Sequence, residues 1–307
     1  MVSEAVVQAL RKFVPEENIC LQESMASHTT FRIGGLADCF VQLENTEQLI
    51  MVRKYLSQVG VPFFVLGNGS NLLVSDEGFR GVILQIGPKM NRVTVEGSVI
   101  VAQAGASMAQ IARTAMEHEL TGMEFASGIP GTIGGGVVMN AGAYGGELSR
   151  IVTQVNVVNS EGGIMELDNE TMEFGYRTST IRNNSFTVTE VILRLEKGDR
   201  QQIRERMEEL AARRREKQPL EYPSAGSTFK RPAGHYAGQL IMEAGLRGFQ
   251  CGGAKVSDKH CGFVINTGNA TAEDVRKLIR EVQARVKDQF NVDLETEVLF
   301  LGWEKNR

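Results

Sequence analysis

Three short stretches of this sequence carry side chains able to do chemistry, and each has more than one reading. Ser227-Thr-Phe-Lys230 matches the Ser-x-x-Lys pair of acylating serine enzymes. That chemistry wants the serine at a helix start, so that the lysine returns to the same face, and Pro232 opposes a helix there. The companion Ser-Asp-Asn and Lys-Thr-Gly triplets are absent from the chain, which disfavours an acyl-enzyme. A serine in a Gly-Ser turn can instead deliver its own proton. A hydroxyl is a weak acid, so this works only toward a strongly basic partner such as a carbanion or enolate. The plainer alternative is a turn serine bonded to backbone. Arg177, in Gly175-Tyr176-Arg177, has the fork to clamp a carboxylate or stabilise an enolate, and it also fits an ordinary surface arginine. Glu297 lies in Leu294-Glu-Thr-Glu-Val-Leu-Phe300, where Glu295, Glu297 and Leu299 share one strand face. A carboxylate there has either a tuned acidity or simple edge exposure.

Glycine marks two further places. Phe125–Gly146, FASGIPGTIGGGVVMNAGAYGG, is dense in glycine, with Pro130 wedged into the first cluster. Glycine lets main chain run close to a ligand and turn its amides toward it, which suits phosphates and flat heterocycles. Ile129, Ile133, Val137, Val138 and Met139 argue against a solvated linker, while a tightly packed structural turn stays open. The second place is Gly67-Asn-Gly-Ser-Asn-Leu-Leu73, directly after a predicted strand. It lacks both the Gly-x-Gly-x-x-Gly spacing of a dinucleotide fingerprint and the Gly-Lys-Ser/Thr of a P-loop. A Rossmann domain is therefore disfavoured. A loop whose amides and the Ser70 and Asn71 side chains hold a pyrophosphate fits better, with a plain turn as the alternative.

Composition narrows the classes. With 307 residues the chain is long enough for two or three domains. It is 42% hydrophobic and 23% charged, an ordinary globular balance. A net charge of −4 gives no invitation to nucleic acid or an anionic membrane. No apolar run reaches membrane-span length and the N-terminus lacks a signal-peptide pattern, so a cytoplasmic protein is expected. Cys20, Cys39, Cys251 and Cys261 form no Cys-x-x-Cys pair, and the four histidines are scattered, so no metal site is expected. His260-Cys261 is discounted as a catalytic pair, because adjacent strand residues point to opposite faces.

The elements that must position these stretches follow from periodicity. Val6, Val7, Leu10 and Phe13 predict a helix over 3–13. A strand over 37–43, a helix opening near Thr46 and a strand over 62–66 lead into the Gly67 loop. Strands follow over 82–86, 92–96 and 99–104, the last two joined at Gly97-Ser98, and a helix over 107–118 delivers the chain to the glycine-dense stretch. Strands near 151–158, 163–167 and 186–196 suggest a second α+β unit. A long charged helix over 200–217 reads as solvated or interdomain, given its interleaved glutamates. After Gln218-Pro219 come a helix around 237–244, strands near 254–256 and 262–266, a helix over 271–290 and a closing strand over 295–301. Thr271, three residues before Asp274, marks the start of that last helix.

Taken in order and spacing, these motifs make the chain similar to the UDP-N-acetylenolpyruvoylglucosamine reductases, flavin enzymes of bacterial peptidoglycan synthesis. The resemblance runs from Thr29-Thr-Phe-Arg-Ile-Gly-Gly35 through Leu66–Leu73, Gly128-Ile-Pro-Gly-Thr-Ile-Gly-Gly135, Asn140-Ala-Gly-Ala143, Tyr176-Arg177 and Ser224–Lys230 to Leu294–Val298. It implies an α+β protein, with a two-subdomain FAD-binding fold of the vanillyl-alcohol-oxidase (PCMH) type followed by an α+β substrate-binding domain. The expected divisions are 1–86, 87–218 and 219–307. Noncovalent FAD contacts are implied at Arg32, Gly67, Asn68, Gly69, Ser70, Asn71, Gly128, Ile129, Pro130, Gly131, Thr132, Gly134, Gly135, Asn140 and Gly142. His28 lies where related oxidases can carry a flavin link and is read as structural.

The resemblance also implies a reaction. NADPH would reduce FAD, and hydride from flavin N5 would then add to the methylene carbon of UDP-N-acetylglucosamine enolpyruvate. Arg177 and Glu297 match the pair that holds the carboxylate and stabilises the enolate. Ser227 matches the proton donor that completes UDP-N-acetylmuramate. Tyr176, Lys230, Arg231 and Asn266 are expected substrate contacts, and the protein is expected to be a monomer. The tyrosine-bearing loop of one subgroup has no counterpart between Arg177 and Arg194, so the chain resembles the subgroup without it. The rival readings are an FAD-dependent sugar or alcohol oxidase on the same fold, and a nucleotide-sugar binder without turnover.

Overall fold

Buried apolar side chains sort into two separate cores, each belonging to its own unit of the chain. The computed structural model describes residues 1–303, and of Asn183 the backbone alone. One unit comprises Met1–Leu21, Cys39–Asn68 and Gly81–Arg214; the other comprises Gln22–Asp38, Gly69–Arg80 and the chain from Arg215 onward.

In the first unit the strand Phe63–Leu66 pairs parallel with Phe79–Gln85, placing Phe63 opposite Val82 and Leu66 opposite Gln85. The helix Thr46–Gln58 leads into this pair. Asn45 caps it by accepting from the Gln48 amide at 2.9 Å, and Leu49, Val52 and Leu56 bury one face at helical spacing. A five-stranded sheet follows, in the order Ile164–Asp168, Val152–Val158, Thr187–Arg194, Val99–Gln103 and Val93–Glu96, with every neighbouring pair antiparallel. Val155, Val157, Val191, Leu193, Ile100 and Ala102 alternate into the core, as the two-residue period of a half-buried sheet requires.

The expected division at residue 86 is not a break in packing. A single apolar cluster runs from Val6 to Leu195, so residues on either side of 86 fill one core. Arg53 reinforces the join from the helix Thr46–Gln58. Its buried guanidinium donates to the carbonyls of Val158 (2.8 Å) and Ser185 (2.7 Å) and to the Thr187 hydroxyl (2.8 Å). With neutral partners only, burial pushes its pKa below the usual arginine value.

The second unit has a four-stranded sheet in the order Ser224–Ser227, Phe263–Asn266, Ala254–Val256 and Gln250–Cys251. The helix Ala272–Phe290 buries Val275, Leu278, Ile279, Val282 and Val286. Its Thr271/Asp274 capping box is formed, and the Asp76 carboxylate accepts from the first-turn amides of Ala272 (2.7 Å) and Glu273 (3.0 Å). Phe31, Ile33 and Leu73 enter this second core, which is why 22–38 and 69–80 join the C-terminal part. The closing strand is shorter than expected. Only Leu299–Leu301 is regular, pairing parallel with Leu72–Val74, while Thr296 makes a single bridge to Phe229. Among the described residues no helix is long and apolar enough to cross a membrane.

Candidate active site

The first half of the glycine-dense stretch forms a main-chain cradle in the first unit. Asn68 donates its side-chain amide to the Pro130 carbonyl at 3.2 Å, drawing the two glycine loops together. A Cβ at residue 67 would stand 2.5 Å from Thr132 Oγ1, so only glycine permits this approach. Ile133–Val138 forms a short helix capped by Thr132, whose hydroxyl accepts from the Gly135 amide at 3.3 Å. The Gly134 amide donates to the Ala104 carbonyl at 2.9 Å. The amides of Gly134 and Gly135 thus donate within the protein. Those of Gly131 and Thr132 donate to no group among the described residues. Main-chain amides beside a glycine that a Cβ would crowd suit the pyrophosphate of FAD, so the residues present fit that cofactor. Arg214 lies against this cradle, its Nη1 2.8 Å from where a Cβ of residue 128 would stand, and burial lowers its pKa. Sequence reading passed over Arg214 as part of a solvated helix. The available signal was its spacing, which puts it on the face of Ile203, Met207 and Leu210.

The second half of the stretch seats Arg177. Tyr176 and Arg177 form the tip of a tight turn closed by Gly175 N–H to Thr178 O (3.1 Å) and Thr178 N–H to Gly175 O (3.4 Å). Arg177 is held in the left-handed region at φ 55, a strained choice for a side chain of this size. Three contacts fix it there. The Asn140 side chain donates to the Gly175 carbonyl at 3.1 Å, Arg177 Nη2 donates to the Gly142 carbonyl at 3.3 Å, and the Ser179 hydroxyl donates to the Val138 carbonyl at 3.1 Å. Asn140 also accepts from the Ser149 amide at 3.0 Å. Asn140 and Gly142, expected as cofactor contacts, are also the footing of the Arg177 turn. Tyr176 is exposed, and its ring lies 5.3 Å from the Arg177 guanidinium carbon. Three residues separate the helix Thr180–Asn183 from the strand Thr187–Arg194, so no inserted loop stands there.

In the second unit the backbone brings Ser227 next to Glu297. Ser227 ends its strand opposite Phe263, after a bulge at Gly226 with φ 75. Thr228, 1% exposed, is the hub. Its N–H donates to the Gly262 carbonyl (2.8 Å), its hydroxyl accepts from Val264 N–H (3.0 Å) and its carbonyl accepts from Glu297 N–H (2.9 Å). Asn71 holds the other side of Glu297, donating from its side chain to the Glu297 carbonyl at 3.1 Å and accepting from Leu299 N–H at 3.0 Å. Asn71, expected on the cofactor, also holds the main chain at Glu297. Gly69 is buried at φ 59 with its carbonyl accepting from Thr30 N–H, and a Cβ there would collide with the His28 carbonyl. Arg32 sits exposed at a turn with φ 54, and Ser70 is half-buried.

The expected substrate contacts divide. Lys230 is paired with Glu295 at 2.8 Å, and the ammonium holds the Glu295 carboxyl below its ordinary pKa. Arg231 stacks on the exposed Tyr236 ring at 4.0 Å, a cation–aromatic platform. Asn266 is bonded within the protein. It is 4% exposed, donates to the Phe31 carbonyl (3.2 Å) and accepts from the amides of Gly268 (2.8 Å) and Ala270 (3.1 Å), which gives it a structural role.

This fold and cradle define an FAD-binding oxidoreductase of α+β class. An FAD binding domain model matches residues 37–168. The same fold recurs in an alkyldihydroxyacetonephosphate synthase structure at 17% identity and a TM-score of 0.50, covering 64% of this chain and 41% of that one. The model of the UDP-N-acetylenolpyruvoylglucosamine reductase C-terminal domain matches residues 218–301. A UDP-N-acetylenolpyruvoylglucosamine reductase from Caldanaerobacter subterraneus subsp. tengcongensis is 50% identical over 98% of this chain and 99% of its own length. One from Geobacillus kaustophilus is 47% identical, also over 98% and 99%. The crystal structure of the Thermus caldophilus reductase matches with a TM-score of 0.79 at 34% identity, covering 92% of this chain and 98% of that one. The chain belongs to the UDP-N-acetylenolpyruvoylglucosamine reductase family.

Proposed function

We propose that this protein reduces UDP-N-acetylglucosamine enolpyruvate to UDP-N-acetylmuramate, with NADPH as reductant, as a cytoplasmic monomer supplying peptidoglycan precursors. The observation that carries this reading is the seating of Ser227 and Glu297 on either side of the Thr228 hub. When bound, FAD supplies a two-electron carrier between NADPH and the enolpyruvyl methylene carbon. Gly67, Asn68, Gly131 and Thr132 hold its pyrophosphate through main-chain amides and the close approach described above. Arg177 binds the substrate carboxylate, where negative charge collects as the enolate forms, and its fixed turn means that little reorganisation is needed at that moment. Glu297 polarises the same carboxylate. The Ser227 hydroxyl gives its proton to the adjacent carbon, a transfer that a weak acid can make because an enolate carbon is strongly basic. Arg231, stacked on Tyr236, contacts the substrate diphosphate.

The test is an anaerobic absorbance trace with NADPH followed by the enolpyruvyl sugar, run on the wild type and on Ser227→Ala. The wild-type flavin bands should bleach with NADPH and return with the sugar. Ser227→Ala should bleach normally and recover slower by orders of magnitude. Recovery only on admitting oxygen would favour an oxidase, and full-speed recovery in Ser227→Ala would remove the serine from the reaction.

A further inference from the structure

His260 takes no part in the chemistry above, yet one hydrogen bond connects its ring to the proton-donor turn. Its Nδ1 accepts from the Gly262 amide at 3.1 Å. An acceptor Nδ1 requires the neutral ring with its proton on Nε2. The next atoms along the Gly262 residue lead straight to the site. The Gly262 carbonyl accepts from Thr228 N–H at 2.8 Å, and the Thr228 carbonyl accepts from Glu297 N–H at 2.9 Å. The ring is itself firmly placed. Phe263 meets it edge-on at 5.0 Å between centroids, and the His260 amide donates to Ser257 Oγ. Gly238 and Gly262 leave it room, since a Cβ at either would stand 3.4 or 2.9 Å from His260 Cε1.

We propose that His260 is a positioning residue for the Ser227–Glu297 pair, its neutral imidazole anchoring the Gly262 N–H and through it the residue whose carbonyl accepts from Thr228. The proposal rests on the role given above to Ser227. Protonation of Nδ1 would convert the acceptor to a donor facing another donor and release the Gly262 N–H. The charged and titratable groups around it are Asp258, Lys259 and Cys261 on its own loop, with Arg247 bound to the Asp258 carbonyl and Glu221 near Lys259. None of them bonds to the ring. Burial holds the ring's pKa below the ordinary histidine value, so the neutral form prevails at neutral pH and is lost only as pH falls.

The test compares His260→Phe, which keeps a ring without an acceptor, with His260→Asn, whose amide oxygen can stand in for Nδ1. In His260→Phe, enolpyruvyl reduction should fall roughly tenfold, as expected for loosening a donor turn by one hydrogen bond, while flavin reduction by NADPH holds. His260→Asn should recover most of the rate and lack the acid-side loss of rate expected of the wild type. In wild-type protein, ¹⁵N spectra of labelled histidine should show an unprotonated Nδ1 at neutral pH. A protonated Nδ1 would overturn the proposal whatever the rates, and so would equal losses in both half-reactions or variants indistinguishable from wild type. If Ser227→Ala keeps full turnover, the functional reading fails instead, and the ¹⁵N result still decides the hydrogen bond.

Discussion

Replacing Asn140 tests how the glycine-dense stretch supports Arg177. Asn140 is 3% exposed, stands at φ 42, donates to the Gly175 carbonyl and accepts from the Ser149 amide. Asn140→Ala breaks both bonds and leaves a carbonyl and an amide unsatisfied, at about 1 kcal/mol or more each. It also puts alanine in the left-handed region, for about 1 kcal/mol further. The expected loss is about 3 kcal/mol in urea unfolding. Asn140→Gly removes the backbone strain and should recover about 1 kcal/mol of it. Asn140→Asp is the discriminating variant, because it keeps the acceptor for Ser149 and tolerates the same φ but turns a carboxylate oxygen toward the Gly175 carbonyl. Its stability should fall by about 1–2 kcal/mol. In stopped-flow absorbance its enolpyruvyl reduction should slow by about tenfold or more, each 1.4 kcal/mol of lost Arg177 placement being a factor of ten. Flavin reduction by NADPH should not change. An Asn140→Asp protein matching wild type in both unfolding free energy and enolpyruvyl reduction would refute the argument that this side chain holds the Arg177 turn.

Two stability predictions follow from the packing. Arg53→Leu abandons two carbonyls and a hydroxyl in the first core and should cost about 2–4 kcal/mol, read as a shift in the denaturant midpoint without a change in slope. Asp274→Asn weakens the capping box of the helix Ala272–Phe290 and should cost about 1 kcal/mol at pH 7. Hydrogen bonding from Thr271 N–H lowers the Asp274 pKa from 3.8, so the carboxylate's contribution is present above that value and lost as pH falls below it. The difference between Asp274→Asn and wild type should therefore shrink between pH 7 and pH 3, and a constant difference would mean that the charge is irrelevant.

Local pattern made most elements legible. The helices Thr46–Gln58, Met108–Glu117, Arg200–Lys217 and Ala272–Phe290 and the central strands lie close to where periodicity and capping signals put them, because both signals are local. The strand Ile19–Ser24 escaped notice, being polar and half-exposed, with no alternation to read. The helix Ile133–Val138 escaped because three glycines in six residues argue against a helix on propensity, and it is held by the tertiary hydrogen bonds of Gly134 and Ile133 to Ala104 and Ala106.

The candidate chemistry was likewise written in the chain. Residue types marked Ser227, Arg177, Glu297 and the glycine cradle as candidates with plainer readings beside each, and the family resemblance carried by the order of the motifs gave them their expected roles. Tertiary structure decided the division of labour among their neighbours. Asn71 and Asn140 are polar residues in glycine-rich stretches, and in the fold their side chains reach the Glu297 and Gly175 carbonyls, 226 and 35 residues away in sequence. Asn266, Arg214 and His260 took their roles the same way. A hydrogen bond depends on distance and direction between atoms, and no local sequence pattern encodes which distant carbonyl or amide will stand opposite a given side chain.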